Sequence, residues 1–89
     1  MSYILVNHKV KDFNAWKSFF DKDISEQANA GITLTKLFCS ADNKNDVHIL
    51  FEAEDLGKAD KFFKNPRLKN LMQTAGVVSE PVVHILELA

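Results

Sequence analysis

Cysteine occurs once in this chain, at Cys39, arginine once, at Arg67, and glycine three times. One thiol cannot close an intrachain disulfide, and without a C-x-x-C spacing there is no zinc knuckle to read. Three glycines leave no glycine-rich phosphate loop, no G-x-S-x-G elbow and no dinucleotide-binding fingerprint, so nucleotide-dependent chemistry has no support. Charge of one sign is also missing: eleven Lys and Arg face twelve Asp and Glu. A nucleic-acid partner would need a clustered cationic face, which this balance does not supply. No run approaches the roughly 18 apolar residues of a membrane span, and residues 1–10 lack the apolar centre of a signal peptide. A protein of the reducing cytoplasm with no membrane partner is the expectation.

What remains is an ordinary globular composition over 89 residues, 46% hydrophobic and 26% charged, the size of one domain spanning residues 1–89. A chain this short buries only about 60–65% of its unfolded surface, so association is a natural way to enlarge its core.

The order of elements follows from the hydrophobic period. Tyr3 to His8 is a short apolar run rich in strand formers. Asp12 then caps a helix that presents Phe13, Trp16, Phe20, Ile24, Gln27 and Ala28 on one face, and Gly31 stops it. Ile32–Ala41 and Asp46–Ala53 are two further strands, joined by Asp42-Asn43-Lys44-Asn45, residues that tolerate the left-handed conformations of a hairpin turn. Asp55 caps a second helix buried through Leu56, Ala59, Phe62 and Phe63. Asn65-Pro66 restarts it, with Leu68, Leu71, Met72 and Ala75 inward until Gly76. Pro81 opens the last strand, Val82–Leu88.

Strand, helix, strand, strand, broken helix, strand is the βαββαβ pattern of a ferredoxin-like α+β fold: a four-stranded antiparallel sheet with helices on one face. Its strand order, 4-1-3-2, places strands 1 and 3 in the centre, and we expect those two to run parallel. The strands do not alternate apolar with polar. Strand 1 sets Tyr3 and Leu5 against Ile4 and Val6, strand 3 sets Leu50 against Val47, Ile49 and Phe51, and strand 4 sets Val82, Leu86 and Leu88 against Val83 and Ile85. Helices cover one face only, so the other needs a cover, and a second copy packed sheet on sheet is the simplest one.

Three stretches carry a resemblance: His8-Lys9-Val10-Lys11-Asp12-Phe13-Asn14-Ala15-Trp16, Phe62-Phe63-Lys64-Asn65-Pro66-Arg67-Leu68, and Ala75-Gly76-Val77-Val78 before Pro81. Together they resemble small proteins of the dimeric α/β-barrel superfamily, which includes the antibiotic-biosynthesis monooxygenase-like proteins. The resemblance spans nearly the whole chain. It implies a ferredoxin-like chain whose sheet dimerises into an α/β barrel, in a superfamily that holds cofactor-independent quinone-forming monooxygenases, haem-degrading enzymes, small isomerases and cyclases. Fold does not choose among these.

The residues add their own candidates. Glu52, near the carboxyl end of strand 3, is expected beside His8 at the carboxyl end of strand 1, with His84 approaching from strand 4. A carboxylate beside an imidazole is an acid–base arrangement, against the plainer reading of polar groups where strands meet water. His8 and His48 are expected near opposite ends of the sheet, so a three-histidine metal site is not expected. Trp16, Phe20 and Phe51, with Asn7, His8 and His84 for polar contact, could wall a pocket for a flat aromatic molecule; the alternative is that the aromatics are core. Cys39 reads as a small buried hydrophobe, and Lys58, Lys61 and Lys64 as a solvated helix face. The function that follows is a cofactor-independent monooxygenase-like enzyme acting on a small aromatic or quinol compound, with His8 as base or hydrogen-bond donor and no cofactor. The alternative is a non-enzymatic dimeric binding or assembly module.

Overall fold

The computed structural model describes residues 2–89. Strands β1 (Ser2–Lys9), β2 (Ile32–Ser40), β3 (Asn43–Ala53) and β4 (Val82–Glu87) form one sheet in the order β2-β3-β1-β4. Four helices interleave: α1 (Phe13–Lys22), α2 (Ile24–Asn29), α3 (Leu56–Lys64) and α4 (Pro66–Thr74). The ferredoxin-like α+β architecture and the strand order are those read from the sequence.

Strand direction is not. β1 and β3 pair antiparallel, with Tyr3 opposite Glu52 and His8 opposite Val47. The reason is topological. The helical crossover after β1 returns the chain to its starting end, so β2 runs as β1 does, and the β2–β3 hairpin then reverses it.

The helix ends follow the sequence closely. Asp12 Oδ2 accepts from the Ala15 N–H at 2.9 Å, and Asp55 Oδ1 accepts from Gly57 and Lys58 at 2.8 and 3.2 Å. Asn65 Oδ1 accepts from the Arg67 N–H at 2.9 Å, with Pro66 in the first turn, where its missing N–H costs nothing. Gly31 (φ 74°) and Gly76 (φ 90°) sit in the left-handed region, where a side chain would strain the backbone. Asp55→Ala removes the acceptor of both bonds at the start of α3 and should lower stability by about 1 kcal/mol, read as a reduced urea midpoint with an unchanged slope.

The first helix is divided. Asp23 ends α1 and begins α2, and its side chain is buried, with Arg67 Nη1 donating to its Oδ1 at 3.2 Å. That break turns the helix face, so Ile24 and Ala28, expected inside, are exposed while Gln27 is buried. Leu56, also expected inside, is exposed at the first turn of α3. The hairpin differs too: β3 already begins at Asn43, the turn is Ala41-Asp42, and the pairing slips between Cys39 and Ser40. Among the described residues only glycines have positive φ, so the slip, and not left-handed Asn or Asp, closes the hairpin. Cys39 is exposed rather than buried, because it lies at the outer end of an edge strand where the strand residues around it are no longer covered.

The core lies between the helices and one sheet face: Ile4, Val6 and Val10 from the β1 side, Ile32 from β2, Val47, Ile49, Phe51 and Ala53 from β3, and Trp16, Phe20, Ala59 and Ala75 from the helical layer. The opposite face carries Tyr3, Leu5 and Asn7 beside His48, Leu50 and Glu52, with Val82, His84 and Leu86 on β4. Val82 and Leu86 are exposed, as are Val83 and Ile85 on the helix side of the same strand. No helix among the described residues is long and apolar enough to cross a membrane.

Candidate functional site

A cavity of about 330 Å³ lies between the sheet and the helices. This is near the lower end of the roughly 300–1,000 Å³ typical of small-molecule sites. β1 contributes Val6 and His8, β3 contributes Ile49 and Phe51, α1 contributes Trp16, Phe19 and Phe20, and α3 contributes Phe62 and Phe63. Leu68, Leu71, Met72 and Ala75 close the side formed by α4 and its end.

Local chemistry puts these groups there. The Val10 N–H donates to Asn45 O at 2.8 Å and the Phe13 N–H to Asn45 Oδ1 at 2.9 Å, which pins the start of α1 to β3. Trp16, one turn further on, then meets His8 edge to face, with ring centroids 5.5 Å apart. Trp16 stacks on Phe20 at 4.9 Å, and the aromatic series continues through Phe51 to Phe63 at 6.3 and 6.2 Å. On the other side, Val78 N–H to Lys9 O at 2.9 Å and Lys11 N–H to Gly76 O at 2.8 Å hold the segment before Glu80 and Pro81 against the end of β1.

The cavity is apolar apart from four residues: His8 and Gln27, both buried at 4% exposure, and the exposed Lys69 and Glu80. Among the described residues, His8 Nδ1 is the one buried side-chain polar atom without a hydrogen-bond partner. Burial lowers the His8 pKa from its ordinary value of 6.5, and the residue's own backbone carbonyl, near the ring but outside hydrogen-bond geometry, offsets part of the fall. The imidazole is therefore neutral near pH 7. Above pH 6.5 neither the folded nor the unfolded chain is protonated at this residue, and its contribution to stability is intact. As pH falls below that value, the unfolded chain takes up a proton that the folded chain refuses, and stability drops until the folded pKa is passed. The urea midpoint of the parent should therefore fall between pH 7.5 and 5 more steeply than that of His8→Leu.

Of the residues singled out from sequence, His8, Trp16, Phe20 and Phe51 meet at this cavity. Glu52, Asn7 and His84 do not. Glu52 pairs with Tyr3 and His84 with Leu5, which places both on the other sheet face, and Glu52 toward the far end of β1 from His8. The expected His8–Glu52–His84 convergence is thus overturned by antiparallel pairing together with the alternation of side chains. The Asn7 amide is committed elsewhere, donating to Asp46 Oδ1 and Val47 O, each at 2.9 Å. His48 lies opposite Asn7 and so next to the end of β1 that carries His8, not at the opposite end, but on the other face. No group of three or more His, Cys, Asp or Glu side chains gathers into a metal-binding arrangement among the described residues. Gln27 was foreshadowed by an amide inside an apolar helical stripe. Lys69 and Glu80 had no local signal, since only packing brings them to the cavity wall.

The fold is the ferredoxin-like one that solved antibiotic biosynthesis monooxygenase structures share. A protein from Bordetella bronchiseptica, provisionally named an antibiotic biosynthesis monooxygenase, superposes with a TM-score of 0.80 at 11% identity, covering 99% of this chain and 96% of that one. A similarly named protein from Nitrosomonas europaea gives 0.72 at 14% identity over 98% and 97%. An uncharacterised NIPSNAP domain protein from Burkholderia xenovorans gives 0.70 at 8% identity over 100% and 95%. No protein-family model and no curated protein sequence matches the chain.

Proposed function

We propose that the protein is a homodimeric, cofactor-independent monooxygenase-like enzyme that takes a small aromatic or quinol compound into the cavity between sheet and helices. The observation that carries this reading is a buried neutral imidazole with an unpartnered nitrogen on the wall of an aromatic cavity. Its structural neighbours are named monooxygenases, which supports the oxygenase part of the reading. Balanced for a 1-naphthol, the reaction joins one atom of dioxygen to the ring as a new carbonyl. The other atom leaves as water, with the phenolic proton and the displaced ring hydrogen. The ionised substrate supplies the electrons, so the protein has to exclude bulk water, hold the ring flat and stabilise the oxygen that becomes charged. Trp16, Phe20, Phe51 and Phe63 suit the second task, and His8 the third.

Dimerisation belongs to the same reading. The sheet face bearing Tyr3, Leu5, Leu50, Val82 and Leu86 is apolar at its centre, and no helix among the described residues covers it. Packing against its own copy would remove that surface from water. The function is tested by titrating small naphthols and quinols while following Trp16, the only tryptophan, and then by measuring dioxygen uptake. Saturable quenching with uptake is the expected result. Quenching without uptake would leave a binding module, and a flat titration would remove the ligand.

A further inference from the structure

The two nitrogens of His8 are not equivalent. Nδ1 is closed off from solvent and has no partner. Nε2 also forms no hydrogen bond with the described residues, yet it is not among the closed-off atoms, and the ring lies on the cavity wall, so Nε2 is the nitrogen a ligand can reach. A neutral imidazole carries one proton and must place it on one of these atoms. A buried N–H without an acceptor is rarer and worse tolerated than an acceptor lacking its donor. Nε2–H is also the intrinsically preferred tautomer of a histidine side chain.

Protonating both nitrogens would put an N–H at Nδ1 that no group receives in hydrogen-bond geometry, the residue's own backbone carbonyl offsetting only part of the cost. The one carboxylate lining the cavity, that of Glu80, is exposed and makes no hydrogen bond or ion pair with His8. An imidazole that resists becoming imidazolium is a poor proton acceptor. It is a good fixed donor, and a neutral imidazole stabilising an oxyanion is a known way to polarise a carbonyl.

We infer that His8 rests with its proton on Nε2 and acts as a hydrogen-bond donor, so that the cavity selects aromatic molecules presenting an acceptor oxygen, a carbonyl or phenolate, beside an otherwise apolar ring. The inference rests on the aromatic-ligand reading above for the ligand's body, and adds which atom of the ligand is recognised. The substrate enters as the phenolate, its proton left in solvent and returned in the water formed, while the Nε2–H holds the oxyanion, so no base from the protein is required.

Two measurements test it. A long-range ¹H–¹⁵N correlation spectrum of the ligand-free protein near pH 7.5 identifies the protonated nitrogen directly, and the expected result is Nε2. Then 1-tetralone, which has a carbonyl and no donor, is compared with tetralin, the same skeleton without oxygen, by quenching of Trp16. The ketone should bind about tenfold more tightly, the preference of one buried hydrogen bond. That preference should persist in His8→Gln, whose amide still donates, and vanish in His8→Leu. A proton on Nδ1, or equal affinity for the two compounds, overturns the inference. If neither compound binds, the aromatic-ligand reading fails and takes the ligand half of the inference with it. The tautomer is read without ligand, so the two failures are distinguishable.

Discussion

Leu50→Asp should abolish dimerisation. The parent chain is expected to elute with light scattering at twice the 10.1 kDa of one chain. Leu50 lies on a central strand, opposite Leu5 and on the face away from the helices. In a two-fold dimer a substitution there enters the interface twice. Burying even an uncharged polar group without a partner costs roughly 2–7 kcal/mol, and an isolated carboxylate costs more. Since about 1.4 kcal/mol is tenfold in a binding constant, two such penalties should move a micromolar dimer beyond practical concentrations. The core of one chain lies on the opposite face, among Ile4, Val47, Ile49 and Phe51, so the helical content should survive. A dimer that persists in Leu50→Asp, or a parent of monomer mass at micromolar concentration, would place the interface elsewhere or remove it.

His8→Leu is expected to raise stability and lose function together. The substitution replaces a buried polar atom that has no partner with a side chain suited to its apolar walls. Removing that unsatisfied group should raise the unfolding free energy by about 1 kcal/mol. The same substitution removes one of the two buried polar residues on the cavity wall, and turnover on a quinol should fall by about 10²–10³, the usual consequence of losing one oxyanion donor. Gain and loss in one variant are the mark of a residue kept for a ligand and not for the fold. Guanidinium or urea unfolding beside dioxygen uptake measures both. A destabilised variant with unchanged uptake would make His8 a packing residue and sink its proposed role.

The helix starts were legible because each depends on a few neighbouring residues. Asp12, Asp55 and Asn65 each cap their own first turn, and Gly31 and Gly76 end helices where the backbone must turn left-handed. The apolarity of both sheet faces was legible for a similar reason, since alternation along a strand needs no knowledge of its neighbours. The first helix was read as continuous to Gly31 and is not, because a buried Asp23 reads as a break only once Arg67, 44 residues away, is beside it.

Local patterning thus determined the order of elements, the βαββαβ topology, the caps and the unmatched apolar face. Tertiary structure decided which residues share a site. Glu52 and His8 both look chemical in the chain, but antiparallel pairing with Tyr3 and Val47 sets them toward opposite ends of the sheet and on opposite faces. A side-chain period of two makes facing depend on pairing at the level of a single residue, and that pairing is set by contacts between strands distant in sequence. The unpartnered Nδ1 of His8 has the same origin: it exists only because α1 brings Trp16 and its neighbours over the end of β1.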